Sequence, residues 1–175
     1  MDSHWNAVAE VLRQEFSDVP DLGQAIRIGL RLLIAALLGG ILGYERERSG
    51  KSAGIRTHML VSMGSALFVL IPQQSGVAPT DISRVVQGIV AGVGFLGAGT
   101  IMKATDSHQV KGLTTAAGIW LTAAIGMAAG LGRETTAVFS TLLAVGVLSL
   151  EPLFRGLSQS ARRQRKVSRP EPIDD

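Results

Sequence analysis

The sequence predicts an all-α membrane protein, a bundle of five transmembrane helices with an amphipathic helix before it. Hydrophobic residues fill 46% of its 175 positions and charged residues only 18%, against about 25% charged residues in an ordinary soluble domain. The charges collect near the two ends and in short clusters, which leaves long neutral runs between them. Glycine occurs 21 times, a bias typical of membrane helices, which approach one another through small residues.

Five runs are candidates for the spanning helices, each of which needs about 20 mostly apolar residues. A soluble helical bundle is the alternative, but so many apolar runs leave too little polar surface to solvate one. Each run is short for a span and includes small residues. The runs cover roughly residues 26–44, 57–73, 85–102, 113–131 and 135–150.

Lysines and arginines predict the orientation, because they are retained on the cytoplasmic side. Of the 17, four follow the first run, two follow the third and six lie in the tail. This asymmetry predicts that residues 22–151 form the membrane domain, with the N-terminus outside and the C-terminus in the cytoplasm. Arg27 and Arg31, on the outer side, either line an outward-facing opening or reach the lipid headgroups.

Residues 1–21 and 152–175 are expected to lie outside the five-helix bundle. The tail is basic and then acidic, too short and polar to fold alone, and we expect it to be a solvated topology signal or a contact with anionic lipid. The first segment either lies on the outer membrane surface or packs against the outer ends of the bundle. Its apolar residues recur at the spacing of an amphipathic helix: Trp5, Val8, Leu12, Phe16 and Val19.

Two motifs imitate nucleotide-binding loops. VAGVGFLGAGT, at 90–100, has G-x-G-x-x-G spacing, but that fingerprint requires a preceding strand and an acidic residue about 20 positions later. The sequence there is equally apolar on both sides and lacks the carboxylate. SGKSAG, at 49–54, lacks the first glycine of a phosphate-binding loop and follows a membrane helix. Neither motif supports nucleotide binding.

The glycines are better explained as packing surfaces, because many recur at every fourth position of a predicted helix. Such stripes let backbones meet, within or between subunits. A local break near Gly97 and Gly99, which would free backbone carbonyls, is a further interpretation of the third run. The predicted packing residues are Gly39, Gly43, Gly88, Gly92, Gly94, Gly97, Gly99, Gly118, Gly126 and Gly130.

Three long segments resemble the signature of the MgtC/SapB family of bacterial membrane proteins. The resemblance covers most of residues 25–150 and implies a multi-pass inner-membrane protein linked to growth at low magnesium and, in pathogens, to survival inside host cells. Members have also been linked to restraint of the ATP synthase. Longer members carry a soluble C-terminal domain, and functions of that domain are not expected of this sequence. The segments are GYERERSGKSAGIRTHMLVSMGSALF (43–68), DISRVVQGIVAGVGFLGAGTI (81–101) and VKGLTTAAGIWLTAAIGMAAGLG (110–132).

Charged and polar residues near the predicted inner mouth are the candidates for a functional site. An ionisable group at membrane depth suggests function, and we expect Glu45 to form a cation or partner site with Arg56 or His58. The alternative is a local ion-pair network, in which Glu47 and Lys51 stand at i, i+4. The full set of candidates is Glu45, Arg46, Lys51, Arg56, His58, Gln87 and Asp106.

The expected function is non-catalytic support of magnesium homeostasis through other inner-membrane proteins. The resemblance suggests the ATP synthase or transporters as partners, and the glycine stripes suggest a homo-oligomer. The alternative is a small transporter of Mg²⁺ or another cation, with Glu45 and Asp106 at the inner mouth. No predicted span has an acidic residue near its centre, which disfavours a dehydrated magnesium site. The sequence shows no nucleophile–base set of the kind that would predict an enzyme. We expect neither a cofactor nor a nucleic-acid partner.

Overall fold

The computed structural model describes residues 2–15, 17, 21–103 and 110–150. This part of the chain contains six α-helices and one short antiparallel ladder. The helices are α1 (Asp2–Glu15), α2 (Leu22–Arg48), α3 (Ile55–Gln74), α4 (Pro79–Gly99), α5 (Leu113–Gly130) and α6 (Glu134–Ser149), and the strands are β1 (Met102–Lys103) and β2 (Val110–Lys111).

Four helices of the described chain, α2 to α5, are long and apolar enough to cross a membrane. The all-helical prediction is therefore confirmed, and four of the five predicted spans reach the required length. The fifth run forms α6, which has 16 residues. At a rise of about 1.5 Å per residue, α6 is about 24 Å long, shorter than the roughly 30 Å hydrocarbon core.

Helices α2 to α6 run in alternating directions, so the bundle has two distinct ends. Arg46 and the last turn of α6 meet at one end, which we call the Arg46 end. At the other, Arg31 meets the last residue of α5 and the last turn of α3; we call this the Arg31 end. Helix α3 lies centrally and packs most extensively against α2 and α5.

Glycines of α2 bring this helix directly onto the backbone of α3. A Cβ at Gly39 would lie 2.5 Å from the carbonyl oxygen of His58, and one at Gly43 would lie 2.6 Å from the Cα of Ile55. No real side chain fits at such distances. The two glycines are four residues apart and therefore share one side of α2, as their spacing predicts.

Helix α5 meets another side of α3 in the same way. A Cβ at Gly126 would collide with the backbone of Ser62, and one at Gly130 with the backbone of Ala66. The core around these contacts is built largely from small side chains, because the helix axes lie close together. Its fully buried alanines are Ala35, Ala66, Ala129 and Ala137.

The glycines of α4 are placed differently. Among them, only Gly97 lies against a neighbouring helix: a Cβ added there would lie 3.4 Å from the Cβ of Ala116. The other four predicted packing glycines of this helix have nothing within 4 Å of an added Cβ. They are Gly88, Gly92, Gly94 and Gly99. These residues do not join α4 to any element of the described chain.

The fingerprint glycines lie inside a continuous helix. Helix α4 runs unbroken through Gly97 and ends at Gly99, where Thr100 Oγ1 donates a 2.7 Å hydrogen bond to the Gly97 carbonyl oxygen. No strand precedes them in the described chain, since α4 follows α3 directly. The structural context of a dinucleotide-binding turn is therefore missing, as the sequence predicts.

The ladder of β1 and β2 connects α4 to α5 and was not predicted from the sequence. Met102 pairs with Lys111, and Lys103 with Val110. Gly112 then adopts φ +95°, and a Cβ there would collide with the Thr100 carbonyl oxygen. Strands of two residues are too short to show a periodic pattern. Asp106, between the strands, lies outside the described residues, as does the tail at 152–175.

Helix α1 confirms that the first segment is helical. Its described side chains, at 4–15, are all exposed, and Trp5 is 72% exposed. They do not pack against the ends of the bundle, so the apolar stripe is available to the membrane surface. Phe16 and Val19, which would extend the stripe, lie outside the described residues.

We expect Gly126→Ala to destabilise the protein by about 1–3 kcal/mol, because the methyl group would strike the backbone of Ser62. Gly29→Ala is the matched control: nothing lies within 4 Å of a Cβ there, so alanine should be neutral or stabilising by up to about 1 kcal/mol. Thermal unfolding in mild detergent, followed by circular dichroism, measures both. Equal midpoints for the two variants would contradict the glycine-mediated contact.

Candidate functional site

Arg46, in the last turn of α2, lies fully buried at one end of the bundle. It forms an ion pair with the neighbouring Glu45, and its Nη2 donates a 3.4 Å hydrogen bond to the carbonyl oxygen of Leu148. That carbonyl belongs to the last turn of α6, where carbonyls lack intrahelical donors and the helix dipole is negative. Arg46 therefore ties the end of α2 to the end of α6.

Glu45 is held on both of its carboxylate oxygens. Oε2 accepts from Arg46, and Oε1 accepts a 2.9 Å hydrogen bond from the Ser49 hydroxyl. Its side chain is 15% exposed. Both oxygens are thus already engaged in the turn that ends α2.

The following loop is fixed by Glu47. Its Oε2 accepts a 3.0 Å hydrogen bond from the backbone N–H of Ile55, the first residue of α3. A carboxylate at a helix N-terminus satisfies an otherwise unpaired donor and complements the positive end of the helix dipole. This contact sets the start of α3, and with it the position of His58 one turn later.

His58 is fully buried beside Arg46. Its Nδ1 lies 3.0 Å from the carbonyl oxygen of Gly54. A carbonyl only accepts, so Nδ1 carries the proton and, in a neutral ring, Nε2 is an acceptor. Gly118 of α5 faces both side chains: a Cβ there would lie 3.6 Å from His58 Nε2 and 4.0 Å from Arg46 Cδ. Glycine at 118 leaves room for the pair.

Two buried polar atoms of α3 have no hydrogen-bond partner within the described chain. One is Nε2 of His58 itself, and the other is the hydroxyl of Ser62, one turn further along the helix. Leaving such a group unsatisfied costs about 1–3 kcal/mol. In contrast, Thr122 Oγ1 donates to the Gly118 carbonyl oxygen at 2.8 Å, the backbone bond expected of a membrane threonine. These two buried polar groups of α3 therefore reduce stability and are not explained by packing within the described chain.

The structure brings together only part of the predicted site. Glu45, Arg46 and His58 meet at the Arg46 end. Arg56 is exposed on α3, and Lys51 is half-buried in the loop between α2 and α3. Gln87 lies apart from them, exposed on α4, and Asp106 is outside the described residues. The loop SGKSAG serves to join α2 to α3.

A second cluster lies at the opposite end, around Arg31. Its Nη1 donates to Gln73 Oε1 at 2.9 Å and to the Gly130 carbonyl oxygen at 3.1 Å, and its Nε lies 3.9 Å from a carboxylate oxygen of Glu134. One arginine therefore joins α2, α3, α5 and α6. It also borders a cavity of about 230 Å³, lined by Gln24, Arg27, Ile28, Arg31, Leu70, Gln73 and Gln74.

The two arginines act alike. They are 15 residues apart on α2, about 22 Å along the helix, and each binds a carbonyl at the C-terminal end of a neighbouring helix. Sequence reasoning identified both residues but missed Ser62, Gln73 and these carbonyl contacts. One feature of the sequence could have indicated these contacts: each arginine lies at the edge of a long apolar run. A charged group in such a position needs polar partners.

Fold and site together define a polytopic α-helical membrane protein whose bundle is tied at each end by an arginine of α2. Residues 32–156 match the profile of the MgtC family. Because this match covers well over half of the 175 residues, the chain belongs to the MgtC family, and the resemblance in its three signature segments is confirmed.

Curated relatives agree with this family. Protein SrpB of Synechococcus elongatus is 45% identical over 138 residues, which are 73% of this chain and 76% of SrpB. The protein of Escherichia coli K12 named "Putative magnesium transporter YhiD" is 42% identical over 129 residues, 69% of this chain and 59% of YhiD. Protein MgtC of Salmonella typhimurium is 42% identical over 114 residues.

Coverage differs among these relatives. The match to protein MgtC comprises 65% of this chain but only 48% of MgtC, so the chain spans about half the length of that relative. No solved structure matches the chain.

We expect Arg46→Met to destabilise the protein by about 3 kcal/mol, because the substitution removes a fully buried guanidinium that pairs with the Glu45 carboxylate and the end of α6. Arg48→Met is the control, since Arg48 lies exposed two residues further along α2 and should change stability by about 0.5 kcal/mol or less. Unfolding titrations in mixed micelles compare them. A similar loss in both variants would argue against a special role for the buried guanidinium.

Proposed function

We propose that this protein supports magnesium homeostasis as a non-catalytic membrane protein that acts on other membrane proteins and does not carry the ion itself. The observation that carries this proposal is the fully buried Arg46 at one end of the bundle, between α2 and the end of α6. A cation path through the centre of these helices would pass beside that guanidinium.

The charge of Arg46 opposes such a path. With an effective dielectric constant of about 20, a lone guanidinium repels a divalent cation about 5 Å away by roughly 7 kcal/mol, and the Glu45 carboxylate paired with Arg46 offsets part of that repulsion. Magnesium also binds through carboxylates and retained waters. Glu45, the nearest predicted ligand, already has both oxygens engaged by Arg46 and Ser49. The charge at this end therefore supports a regulator over a conduit.

The link to magnesium rests on the family. The chain belongs to the MgtC family, and the name of its relative YhiD refers to magnesium transport. By resemblance, the partners of a non-transporting member are other inner-membrane proteins, such as the ATP synthase or transporters.

For the orientation, we place the Arg46 end in the cytoplasm and the protein in the bacterial inner membrane. Arg46, Arg48, Lys51 and Arg56 all belong to the end of α2, the following loop and the start of α3, and positive residues of short loops are retained inside. In this arrangement α6 is the fifth span and continues into the basic tail.

A transporter remains the second candidate function, because one observation favours it. The cavity at the Arg31 end is open and lined by polar side chains, among them Gln24, Arg27 and Gln73. Amide oxygens are ligands for hard cations such as Ca²⁺, although Gln73 Oε1 already accepts from Arg31 and both Arg27 and Arg31 oppose a cation there. YhiD, one of the relatives, bears a transporter's name.

Ion flux distinguishes the two functions. We expect vesicles that contain the purified protein and a magnesium-sensitive dye to show no uptake above that of protein-free vesicles. Glu45→Gln and Arg31→Gln would be assayed in parallel. Uptake by the unaltered protein that either substitution abolishes would establish transport and refute the regulator.

Growth tests the regulatory role directly. In a bacterium that lacks its own MgtC-family protein, we expect this chain to restore growth at limiting magnesium, and Arg46→Met to lose most of that effect. Gly29→Ala should retain it, because nothing lies near that position. Growth is compared at equal amounts of protein, with the expression of Arg46→Met raised until immunoblots of membranes match those of the other two proteins. Failure of the unaltered chain to restore growth would contradict the proposal.

A further inference from the structure

Helix α4 presents one complete face to the outside of the bundle. Its buried residues are Ile89, Val93 and Gly97, which share one side. At about 100° per residue, the opposite side carries a set of residues that are all exposed. We call this set the α4 outer face: Asp81, Arg84, Gln87, Gly88, Ala91, Gly92, Gly94, Phe95, Ala98 and Gly99.

The composition of the α4 outer face is unlike that of a lipid-facing surface. Helix α2 exposes Leu33, Leu37 and Ile41, and α6 exposes Leu142 and Leu143; such large apolar side chains suit lipid tails. Most of the α4 outer face is glycine or alanine. Membrane helices use small residues where another helix approaches, because close backbone contact replaces the hydrophobic effect as the driving force.

Gln87 gives independent evidence that a protein group covers this face. It is exposed and makes no hydrogen bond within the described chain. It lies eight residues from Pro79, about 12 Å along α4, which is well inside the span. An unsatisfied amide in hydrocarbon costs several kcal/mol, and a lipid tail offers it no partner. A second helix does, through interhelical hydrogen bonding.

The polar groups of the face complement a second copy of themselves. A side-chain amide has both donors and an acceptor, so two Gln87 side chains satisfy each other across a two-fold axis. Asp81 and Arg84 are exposed, opposite in charge and about one turn apart, and neither forms an ion pair within the described chain. In a parallel pair, each Asp81 can meet the Arg84 of the other copy.

The shape of the face is also self-complementary. Phe95 projects from it, 81% exposed, while Gly92 and Gly99 leave hollows in which an added Cβ meets nothing within 4 Å. Beside these lies a groove of about 680 Å³ between α3 and α4, with Gly88 and Gly92 among its lining residues. A two-fold interface places the same features opposite one another, so each Phe95 enters the glycine-lined hollow of the other copy.

We infer that two copies of this protein pair in parallel through the α4 outer face, around a two-fold axis along the membrane normal. Gln87 supplies the hydrogen bond at membrane depth, and Phe95 packs against the glycines. The inference goes beyond the proposed function and does not depend on it.

Disulfide crosslinking tests the pair, because the chain has no cysteine and a single introduced thiol is unique. We expect Ala98→Cys, in native membranes under mild oxidation, to give a covalent dimer. Ala98 lies near one end of α4, so only a parallel pair brings two copies of it together. Leu143→Cys is the matched control, 71% exposed on α6, and should stay monomeric.

Adding Gln87→Leu to the Ala98→Cys protein should lower the dimer yield about three- to thirtyfold, the range expected for losing one interhelical hydrogen bond. Adding Gly92→Leu should also lower the yield, because the larger side chain fills the hollow that receives Phe95. Neither substitution should disturb the fold, since a Cβ at Gly92 meets nothing within 4 Å. Unchanged thermal unfolding confirms this. Gly29→Leu, exposed on α2, should leave the dimer yield unchanged.

Three outcomes would overturn the inference. Recovery of the Ala98→Cys protein only as a monomer would show that lipid covers the face. Crosslinking mainly to a different protein would make the face a site for a foreign helix. Equal dimer yields from Ala98→Cys and Leu143→Cys would indicate random collision. None of these results depends on magnesium flux or growth. The paired arrangement can therefore be refuted without refuting the proposed function, and the reverse also holds.

Discussion

The rest of the bundle depends on direct contact between the backbone of α3 and glycines of the two helices beside it. In a membrane, apolar side chains gain little by leaving lipid for one another, so helices associate where small residues allow close contact. Gly39 and Gly43 of α2 reach this backbone from one side, and Gly126 and Gly130 of α5 from another. A single methyl group at these positions would separate the helices. Alanine is also the commonest residue of the buried apolar core in the described chain, as this close spacing requires.

Close packing also explains how a charged residue is tolerated inside. With α2 and α5 held against α3, Arg46 lies within reach of the α6 carbonyls, and Gly118 leaves space for its stem beside His58. At the other end, Arg31 likewise donates a hydrogen bond to a carbonyl oxygen at a helix C-terminus, that of Gly130. Each charge therefore satisfies backbone groups that a helix end leaves without donors. The Ser62 hydroxyl and His58 Nε2, which have no hydrogen-bond partner among the described residues, show that this region is not optimised for stability alone.

Much of the architecture follows from local sequence. The apolar runs predict α2 to α6 with errors of up to six residues at an end, because a membrane helix needs length and neutrality whatever its neighbours. The family could be inferred from three motifs without coordinates. The short β1–β2 ladder was missed, since two paired residues leave no periodic signal. The polar partners of Arg31 were missed as well, because Gln73 and Gly130 are distant in sequence and ordinary in composition.

The sequence by itself therefore determined the helices, their apolar character and the spacing of the glycines along each of them. Only the tertiary structure decided how those glycines are used. Gly39 and Gly88 both begin a small-residue pair four residues apart, yet Gly39 is pressed against His58 while Gly88 has nothing beside it. The physical reason is that periodicity fixes which residues share a face of a helix, whereas the rotation of each helix about its axis, set by all its neighbours at once, decides what that face meets.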